Sequence, residues 1–369
     1  MKNWQPTYTI TPATAAALMQ IEADRTVVEQ TPLPLAVQEE LRRRARIRST
    51  HYSTRIEGNR LTLEEAEQVI EGKQFHGRER DVGEVRNYWN ALLRVEEWAA
   101  KGVPLTEDLI KRLHALVEKG VRAGPSPFRD GQNVIRDSAS SAIVYMPPEA
   151  KDVPGLMAAL VDWVNTAAKD GVPVPLIAAL VHYQFVTIHP YYDGNGRTAR
   201  LLATFILHRG GYGLNGFFSL EEHHARYLET YYQALVVHPH HNYYEGRSTA
   251  DLTSWLEYFV KLLAEVFTAA REETLRSLDE GITIVPEALR RLDPRARTVL
   301  ALFTKMEQIT SSEVANTLGL SQRMARVLLK DWVEEGWLEV ADPSRRARAY
   351  TLNEHYRQFI GNLTAKRAK

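Results

Sequence analysis

Two apolar stretches near the middle of the chain flank a short glycine-containing turn, and this arrangement constrains the fold more than any other feature. The stretch Pro175–Ile188 has no internal glycine or proline and carries apolar residues at helical spacing. Pro175 suits the first turn of a helix, and Pro190 disfavours its continuation through His189. A second apolar helix is predicted from Arg197 onwards. The sequence therefore predicts two helices, the first of them buried, joined by a tight turn.

The turn places anion-binding groups at the start of the second helix. From His189 to Arg200 it reads His-Pro-Tyr-Tyr-Asp-Gly-Asn-Gly-Arg-Thr-Ala-Arg. Gly194 and Gly196 permit a tight turn with free N–H groups, and the positive end of the helix dipole adds to their attraction for an anion. Arg197 and Arg200 lie three positions apart on one helix face, close enough to hold neighbouring phosphates. The pattern predicts a phosphate-binding site.

Two further residues of the turn supply a metal ligand and a base. The carboxylate of Asp193 suits Mg²⁺, which normally binds one or two carboxylates together with substrate phosphates. The imidazole of His189 has an ordinary pKa of about 6.5 and can accept the proton of an attacking hydroxyl near neutral pH. No Gly-Lys-Ser/Thr sequence follows the turn, which excludes a Walker P-loop. The residues are consistent with phosphate transfer to a hydroxyl.

This segment resembles the signature of the Fic family, His-Pro-Phe-x-Asp/Glu-Gly-Asn-Gly-Arg-x-x-Arg, with Tyr191 in place of phenylalanine. Such family members are typically protein adenylyltransferases, which move AMP from ATP onto a Ser, Thr or Tyr hydroxyl of a target protein. The resemblance implies that His189 is the general base and Asp193 the Mg²⁺ ligand. It implies that Arg200 lies nearest the γ-phosphate in a nucleotide site formed by Asp193, Gly194, Asn195, Gly196, Arg197, Thr198 and Arg200.

A second segment with a family resemblance lies at the end of an upstream helix, predicted over Leu41–Ile56. There Ser53, Glu57 and Gly58 form the pattern Ser-x-x-x-Glu-Gly, which resembles the inhibitory helix of Fic proteins that carry it N-terminal to the core. In that family the glutamate pairs with the last arginine of the signature, here Arg200, and obstructs the productive pose of the γ-phosphate. The same glutamate could instead position a water for removal of AMP, and the sequence leaves both directions open.

The chain just after this helix also carries capping signals. Gly58 can end the helix, and Thr62 with Glu65 is predicted to form a capping box for the next one.

A β-hairpin is predicted between the inhibitory helix and the signature. β-Forming residues lie on both sides of the polar turn Asp137–Ser141, from Asn133 to Tyr145. The segment resembles the Fic flap, which lies over the nucleotide and binds the target protein by adding a strand. The resemblance adds Val144 and Tyr145 to the nucleotide site. An ordinary surface hairpin is the alternative.

Aromatic residues downstream complete the predicted nucleotide site. Tyr231 and Tyr232 resemble family residues near the adenine, where a ring can stack and a hydroxyl can form a hydrogen bond. Either of them could equally pack in the core. His182, on the same predicted helix as the candidate base, is expected to be a packed or hydrogen-bonding core histidine and not a metal ligand.

A smaller C-terminal unit is predicted from residue 281 onwards. Helices are expected over Arg295–Met306, from the capping segment Ile309–Ser312 through Leu318, and from Ser321, followed by two short strands. This order resembles a winged helix-turn-helix module. The side chains that it could offer to DNA are Gln322, Arg323, Arg326 and Lys330 on the third helix and Arg345, Arg346 and Arg348 in the wing. Acidic residues on the same helix count against DNA binding.

Composition sets outer limits on function. Lysine plus arginine and aspartate plus glutamate number 46 each, so net charge favours no polyanionic partner. The chain has no cysteine, which excludes disulfides and thiol catalysis and fits a cytoplasmic protein. No uninterrupted apolar stretch reaches membrane length, and Met1–Pro6 lacks the core of a signal peptide, so no membrane partner is predicted.

The sequence therefore predicts a mainly α protein: a Fic-fold helical bundle with a β-hairpin flap, followed by a small winged helix-turn-helix domain. The predicted regions are residues 1–105 with the inhibitory helix, 106–280 as the Fic catalytic core, and 281–369. Two functions stay open. One is a protein adenylyltransferase that uses ATP and Mg²⁺ and is autoinhibited by Glu57 pairing with Arg200. The other is a DNA-binding regulator with a nucleotide-sensing Fic region. Whether the protein forms a homodimer is also left open by the sequence.

Overall fold

The computed structural model describes residues 4–136, 140–279, 293–304, 306–342 and 348–357. The chain divides into two compact units, Met1–Glu280 and Gly281–Lys369. In the described residues the first unit is mainly helical and carries one short hairpin, which confirms the predicted mainly α fold with a β-hairpin. No helix in the described part of the chain has both the length and the apolar character that crossing a bilayer demands.

The first unit is a bundle of α-helices. In chain order they are α1 (Pro12–Gln30), α2 (Leu35–Ile56), α3 (Leu63–Ile70), α4 (Glu79–Ala100), α5 (Glu107–Lys119), α6 (Val153–Ala167), α7 (Val174–Ile188), α8 (Asn195–Arg209), α9 (Leu220–Arg226), α10 (Leu228–Ala234) and α11 (Thr253–Asp279).

Helices α7 and α8 form the centre of this unit and pack against each other. Nearly every residue of α7 and of the first three turns of α8 is buried, because neighbours surround both helices. Helices α6 and α11 pack on α7, while α4 and α5 pack on α8. The predicted end of α7 is confirmed, since Pro175 lies in its first turn and Ile188 is its last residue. Helix α8 begins at Asn195, two residues before the predicted Arg197.

Helix α2 brings its C-terminal end to α8. It packs on α4 and α9 and also contacts α8. Its start at Leu35 lies six residues before the predicted Leu41. The sequence signal for this start is weak, because Pro34 precedes the helix and no side chain caps it. Its predicted end is confirmed, since Ile56 is its last residue and Gly58 has a φ of 92°.

The next helix begins with the capping box that the sequence predicts. The Thr62 side chain accepts a hydrogen bond from the Glu65 N–H at 3.2 Å, and Glu65 accepts one from the Thr62 N–H at 2.9 Å.

The predicted hairpin is present as strands β1 (Ile135–Arg136) and β2 (Ile143–Tyr145) in an antiparallel pair. Residues 137–139 of its turn lie outside the described residues. The Tyr145 hydroxyl donates to the Thr187 carbonyl at 2.7 Å, which fixes the end of β2 to helix α7. The hairpin is therefore attached two residues before His189.

The second unit combines helices with a small sheet. Its elements are α12 (Pro294–Leu300), β3 (Ile309–Thr310), α13 (Ser311–Leu318), α14 (Gln322–Glu334), β4 (Leu338–Asp342), β5 (Ala349–Leu352) and α15 (Glu354–Arg357). The strands form an antiparallel sheet in the order β3-β5-β4. Trp332 and Trp337 are buried in its core.

Two expectations for the second unit need correction. The predicted helix Arg295–Met306 is too long, because α12 ends at Leu300 and the chain continues as a 3₁₀ turn over Ala301–Thr304. Strand β3 was not predicted, since two residues are too few to show a period. Arg345 and Arg346 lie outside the described residues, and the winged-helix assignment and DNA binding stay predictions.

Candidate active site

His189 leaves helix α7 in an unusual backbone conformation. It directly follows the last residue of the helix and has left-handed φ and ψ values of 51° and 60°. Pro190 restricts the residue before it, which explains why the right-handed helix ends here. A residue other than glycine is strained in this region by about 1–3 kcal/mol, and such residues concentrate at functional sites. The backbone thus marks His189 independently of the sequence signature.

The imidazole of His189 is held in the tautomer that a general base requires. Its Nδ1 lies 3.3 Å from the carbonyl oxygen of Val186, which can only accept a hydrogen bond. In the neutral ring Nδ1 therefore carries the hydrogen and Nε2 carries the lone pair. Burial, together with the Arg129 guanidinium, lowers the pKa of His189 to about 4. The ring is neutral at pH 7, with Nε2 able to accept a proton.

Asn195 closes the glycine turn. Its side chain accepts a hydrogen bond from the Tyr191 N–H at 3.0 Å and donates one to the Tyr191 carbonyl at 2.9 Å. Gly194 precedes it with a φ of 74°, in the region that favours glycine. The first N–H groups of α8 are thereby fixed at the positive end of the helix dipole, next to Gly196. A helix start of this kind binds anions.

Helix α5 supports the turn through an aromatic stack. The buried ring of Tyr191 stacks on the His114 ring with centroids 3.5 Å apart. His114 Nε2 lies 2.9 Å from the carbonyl oxygen of Asp193, so that this nitrogen donates. The turn is therefore held from both of its ends.

Arg200 is buried and is held by the end of helix α2. Its Nε donates to Ser53 Oγ at 2.8 Å, and its Nη2 donates to the Ser53 carbonyl at 3.0 Å. The same Nη2 donates to Glu57 Oε1 at 2.8 Å. The Arg200 side chain is 1% exposed and that of Glu57 is 30% exposed. The structure thus brings together Arg200, Ser53 and Glu57, and Gly58 turns the chain away directly afterwards.

Arg197 forms a second ion pair beside the first. Its Nη2 donates to Glu118 Oε1 of helix α5 at 2.8 Å, and lies 3.4 Å from Asp193 Oδ1. The Arg197 side chain is 4% exposed. Burial raises the pKa of Glu118, although the Arg197 guanidinium opposes this shift. Each arginine of the turn is therefore buried and paired with a carboxylate.

Arg129 connects the turn to the segment after the hairpin. Its Nε donates to the His189 carbonyl at 2.9 Å, its Nη1 donates to the Gly131 carbonyl at 3.0 Å, and its Nη2 donates to the Pro148 carbonyl. Burial lowers the pKa of this guanidinium. Arg129 therefore fixes the carbonyl group of the strained residue.

The remaining predicted nucleotide residues lie in different surroundings. On β2, Val144 is exposed while Tyr145 is buried. The Thr198 hydroxyl is buried and has no hydrogen-bond partner among the described residues. Tyr231 is buried, with its hydroxyl 2.9 Å from His182 Nε2, which confirms that this histidine is a core residue. Tyr232 has an exposed ring that can stack on a base.

Comparison with known proteins identifies the segment that carries the turn. Residues 104–207, which include Glu118, Arg129, the hairpin and the whole turn, match the model of the Fic/DOC family. The chain carries a Fic domain over these residues. It is also similar over 95% of its length to a Fic family protein from Desulfovibrio desulfuricans G20, with 28% identity, a TM-score of 0.62 and 99% of that chain covered.

Curated Fic proteins match a shorter part of the chain. "Protein adenylyltransferase Fic" from Drosophila willistoni is 31% identical over 164 residues, which is 44% of this chain and 32% of that protein. The Nematostella vectensis protein of the same name is 31% identical over 170 residues, with 44% and 37% covered. The chain thus spans about a third of the length of these relatives. Fic-1 from C. elegans shares the fold, with a TM-score of 0.57 at 21% identity over 73% of this chain and 74% of that one.

Sequence reasoning missed three residues that contact the turn. They are His114 and Glu118 of helix α5, and Arg129 in the loop that follows it. A signal was present for the first two, because His114 and Glu118 are four positions apart and share a helix face. The sequence does not show which residues this helix face contacts, because the packing of α5 on α8 joins residues that are 79 positions apart.

The Fic site offers one carboxylate that suits Mg²⁺. The Asp193 side chain is 65% exposed beside the anion-binding turn, with Oδ1 accepting from the Gly194 N–H at 2.6 Å. Mg²⁺ usually takes one or two carboxylates and completes its coordination with substrate phosphates and water. Within the described residues, no group of three or more histidine, aspartate or glutamate side chains is placed to hold a metal ion. The exposed carboxylate of Asp193 fits the smaller donor set.

Because several histidines of the Fic domain are buried, we expect the folded protein to lose stability in mild acid. Burial lowers the pKa of His182 to about 3, and those of His114 and His189 to about 4. Unfolding returns these rings to about 6.5, so the unfolded chain binds more protons between about pH 4 and 6.5. Stability present above about pH 6.5 should therefore fall as the pH approaches 4.

The measurement for this prediction is the free energy of unfolding in urea, compared between about pH 8 and pH 5. Titration of the histidine ring signals by NMR gives an independent reading, since the three buried rings should stay neutral at pH 5. An unfolding free energy that does not change over this range would contradict the prediction.

Proposed function

We propose that this protein transfers AMP from ATP to a Ser, Thr or Tyr hydroxyl of a target protein. The observation that carries the proposal is the juxtaposition of His189, a neutral base with a free Nε2, and an anion-binding turn with two buried arginines. The names of the curated relatives support the transferred group. The alternative of a DNA-binding regulator is not favoured by these relatives, since their names are those of transferases.

The chemistry follows from the groups of the turn. The target hydroxyl oxygen attacks the α-phosphorus of ATP while His189 Nε2 accepts its proton. The bond from the α-phosphorus to the bridging oxygen of the β-phosphate breaks, and pyrophosphate leaves. Such a displacement depends mainly on positioning and on neutralising charge. The N–H groups of the turn, Arg197 and Arg200 supply both.

Asp193 would hold Mg²⁺ together with the phosphates of ATP. When bound, the ion would neutralise negative charge on those phosphates. The exposed carboxylate is the group that fits this role, and its Oδ1 already lies against the first N–H of the turn. We assign no further metal ligand to the chain.

The hairpin and the exposed aromatic ring complete the substrate site. Extended backbone at β2 is suited to bind a segment of the target protein as an added strand. Tyr145 anchors this strand to α7 close to His189, so the acceptor hydroxyl would be aligned with the base. Val144 beside it and Tyr232 on helix α10 have exposed side chains that can contact the nucleotide.

Glu57 gives the proposed enzyme an internal inhibitor. Its carboxylate takes the Nη2 of Arg200, the hydrogen-bond donor that a γ-phosphate oxygen would otherwise use. A Cβ atom at Gly196 would clash with Glu57 Oε1, so this carboxylate lies directly against the anion-binding turn. From the same place it could orient a water for removal of AMP, which is the second candidate reaction.

The experiment that tests the function compares donors. Purified protein with Glu57→Gly is incubated with Mg²⁺ and ATP, GTP, CTP or UTP labelled at the α-phosphate, alone and with a cell lysate. We expect label from ATP on the protein itself and on lysate proteins, and mass spectrometry should identify the added group as AMP. Loss of AMP from a modified target, catalysed by the wild type and not by Glu57→Gln, tests the reverse direction. Absence of label from every donor would contradict the proposal.

A further inference from the structure

Arg197 has an incompletely used hydrogen-bonding edge. Its Nε is buried and has no hydrogen-bond partner among the described residues, although its Nη2 donates to Glu118. Nε and Nη2 lie on the same edge of a guanidinium group, and two oxygens of a phosphate or carboxylate can engage both together. Glu118 supplies one oxygen to this edge. The geometry therefore leaves a buried donor that a phosphate group would satisfy.

The Glu118 carboxylate lies where a ligand anion would be expected. A Cβ atom at Gly194 would clash with Glu118 Oε1, so this oxygen lies against the start of the turn. Glu57 has the same relation to Gly196, two residues further on. Both carboxylates also pair with an arginine of the turn at 2.8 Å. Glu118 thus repeats at Arg197 the arrangement that Glu57 has at Arg200.

The two ion pairs differ in what else holds the arginine. Arg200 is also bound by Ser53 through its Nε and Nη2, so it keeps two hydrogen bonds when Glu57 leaves. Among the described residues, the hydrogen-bond partners of Arg197 are the carboxylates of Glu118 and Asp193. Burial raises the pKa of Glu118; the Arg197 guanidinium opposes this shift, and the like charges of Asp193 and Glu57 add to it.

We propose that Glu118 is a further residue of the nucleotide site. Its carboxylate occupies the same edge of the Arg197 guanidinium that a phosphate group of ATP binds, and this competition raises the KM for ATP. This inference rests on the proposed function, because it assigns Arg197 to the phosphates of the donor. Glu118 must be displaced from Arg197 each time ATP binds. Removing its charge should therefore strengthen ATP binding. If Glu118 merely positioned Arg197, removing its charge would weaken both ATP binding and turnover.

The test uses Glu118→Gln in the full chain that also carries Glu57→Gly. Glutamine keeps the shape of the side chain and removes its charge. We expect the KM for ATP to fall about five-fold, because one charge-assisted hydrogen bond no longer competes with the phosphates, while kcat stays unchanged. Glu118→Asp keeps the charge on a shorter side chain and should give an intermediate KM. An unchanged or higher KM, or a lower kcat, would overturn the proposal.

Asp108→Asn is the matched control. Asp108 lies on the same helix α5 and also forms an ion pair, with Arg112, but it is exposed and does not contact the turn. Its substitution should leave the KM for ATP unchanged. If Asp108→Asn lowered the KM as much as Glu118→Gln does, the cause would be the change in net charge, and the assignment to Glu118 would be overturned.

A binding measurement separates this inference from the proposed function. Calorimetry with ATP and Mg²⁺ is carried out on proteins that also carry His189→Ala, with and without Glu118→Gln. Binding that is about five-fold tighter with Glu118→Gln supports the inference, even where no AMP transfer is found and the proposed function fails. Equal affinities with transfer intact would overturn the inference alone. Absence of ATP binding to every variant would overturn both.

Discussion

Replacing Glu57 with glycine is expected to raise the rate of AMP transfer onto the protein itself by roughly ten-fold to a hundred-fold. A hydrogen bond to a charged group in this setting is worth about 1.5–3 kcal/mol, and the substitution frees Arg200 Nη2 for the γ-phosphate. Arg200 should keep its position, because its two hydrogen bonds to Ser53 remain. Glu57 follows the last residue of α2, where glycine is readily accommodated. The measurement is incorporation of labelled AMP over time.

Glu71→Gly is the matched control for this variant. Glu71 is also a glutamate that directly follows a helix and pairs with an arginine, in this case Arg43 at 2.7 Å, but it lies at the surface and away from the turn. Removing it should leave the transfer rate unchanged. If wild type and Glu57→Gly bound ATP and transferred AMP equally fast, the ion pair between Glu57 and Arg200 would not be inhibitory.

Local sequence signals were sufficient for the elements that carry the turn. Pro175 and Pro190 mark where α7 begins and ends, and Gly194 directly precedes α8, because these residues restrict or release the backbone itself. The same holds for the capping box of Thr62 and Glu65. Such signals act within a few residues and need no knowledge of tertiary packing. The contact between Arg200 and the residues around Glu57 was predicted by resemblance to a family and not by any local signal.

Contacts between distant helices were beyond the sequence. Glu118 reads as one more charged residue near the end of an amphipathic helix, and its ordinary interpretation is a solvated side chain. Only the packing of α5 on α8 shows that it is paired with Arg197. Arg129 reads equally well as a surface residue of a loop, yet three backbone carbonyls surround it. A single sequence shows which residues share one face of a helix, whereas the residues that pack against that face depend on the whole fold.

Removing the base should have the second large effect. In protein that carries Glu57→Gly, His189→Ala is expected to lower the rate of AMP transfer by about a hundred-fold to ten-thousand-fold, the usual contribution of a general base. The reason is that Nε2, the ring nitrogen with the free lone pair, is lost. The measurement is the initial rate of labelled AMP incorporation at saturating ATP.

Binding data decide whether this loss is chemical or structural. His189 contributes no phosphate ligand in our assignment, so ATP should bind to His189→Ala as tightly as to the parent in calorimetry. His189→Asn provides a second variant, because asparagine adopts the left-handed backbone readily and preserves the strained turn. His76→Ala, which removes an exposed histidine elsewhere, should transfer AMP at the parental rate. If both variants at position 189 lost ATP binding together with transfer, His189 would support the shape of the turn and would not be the base.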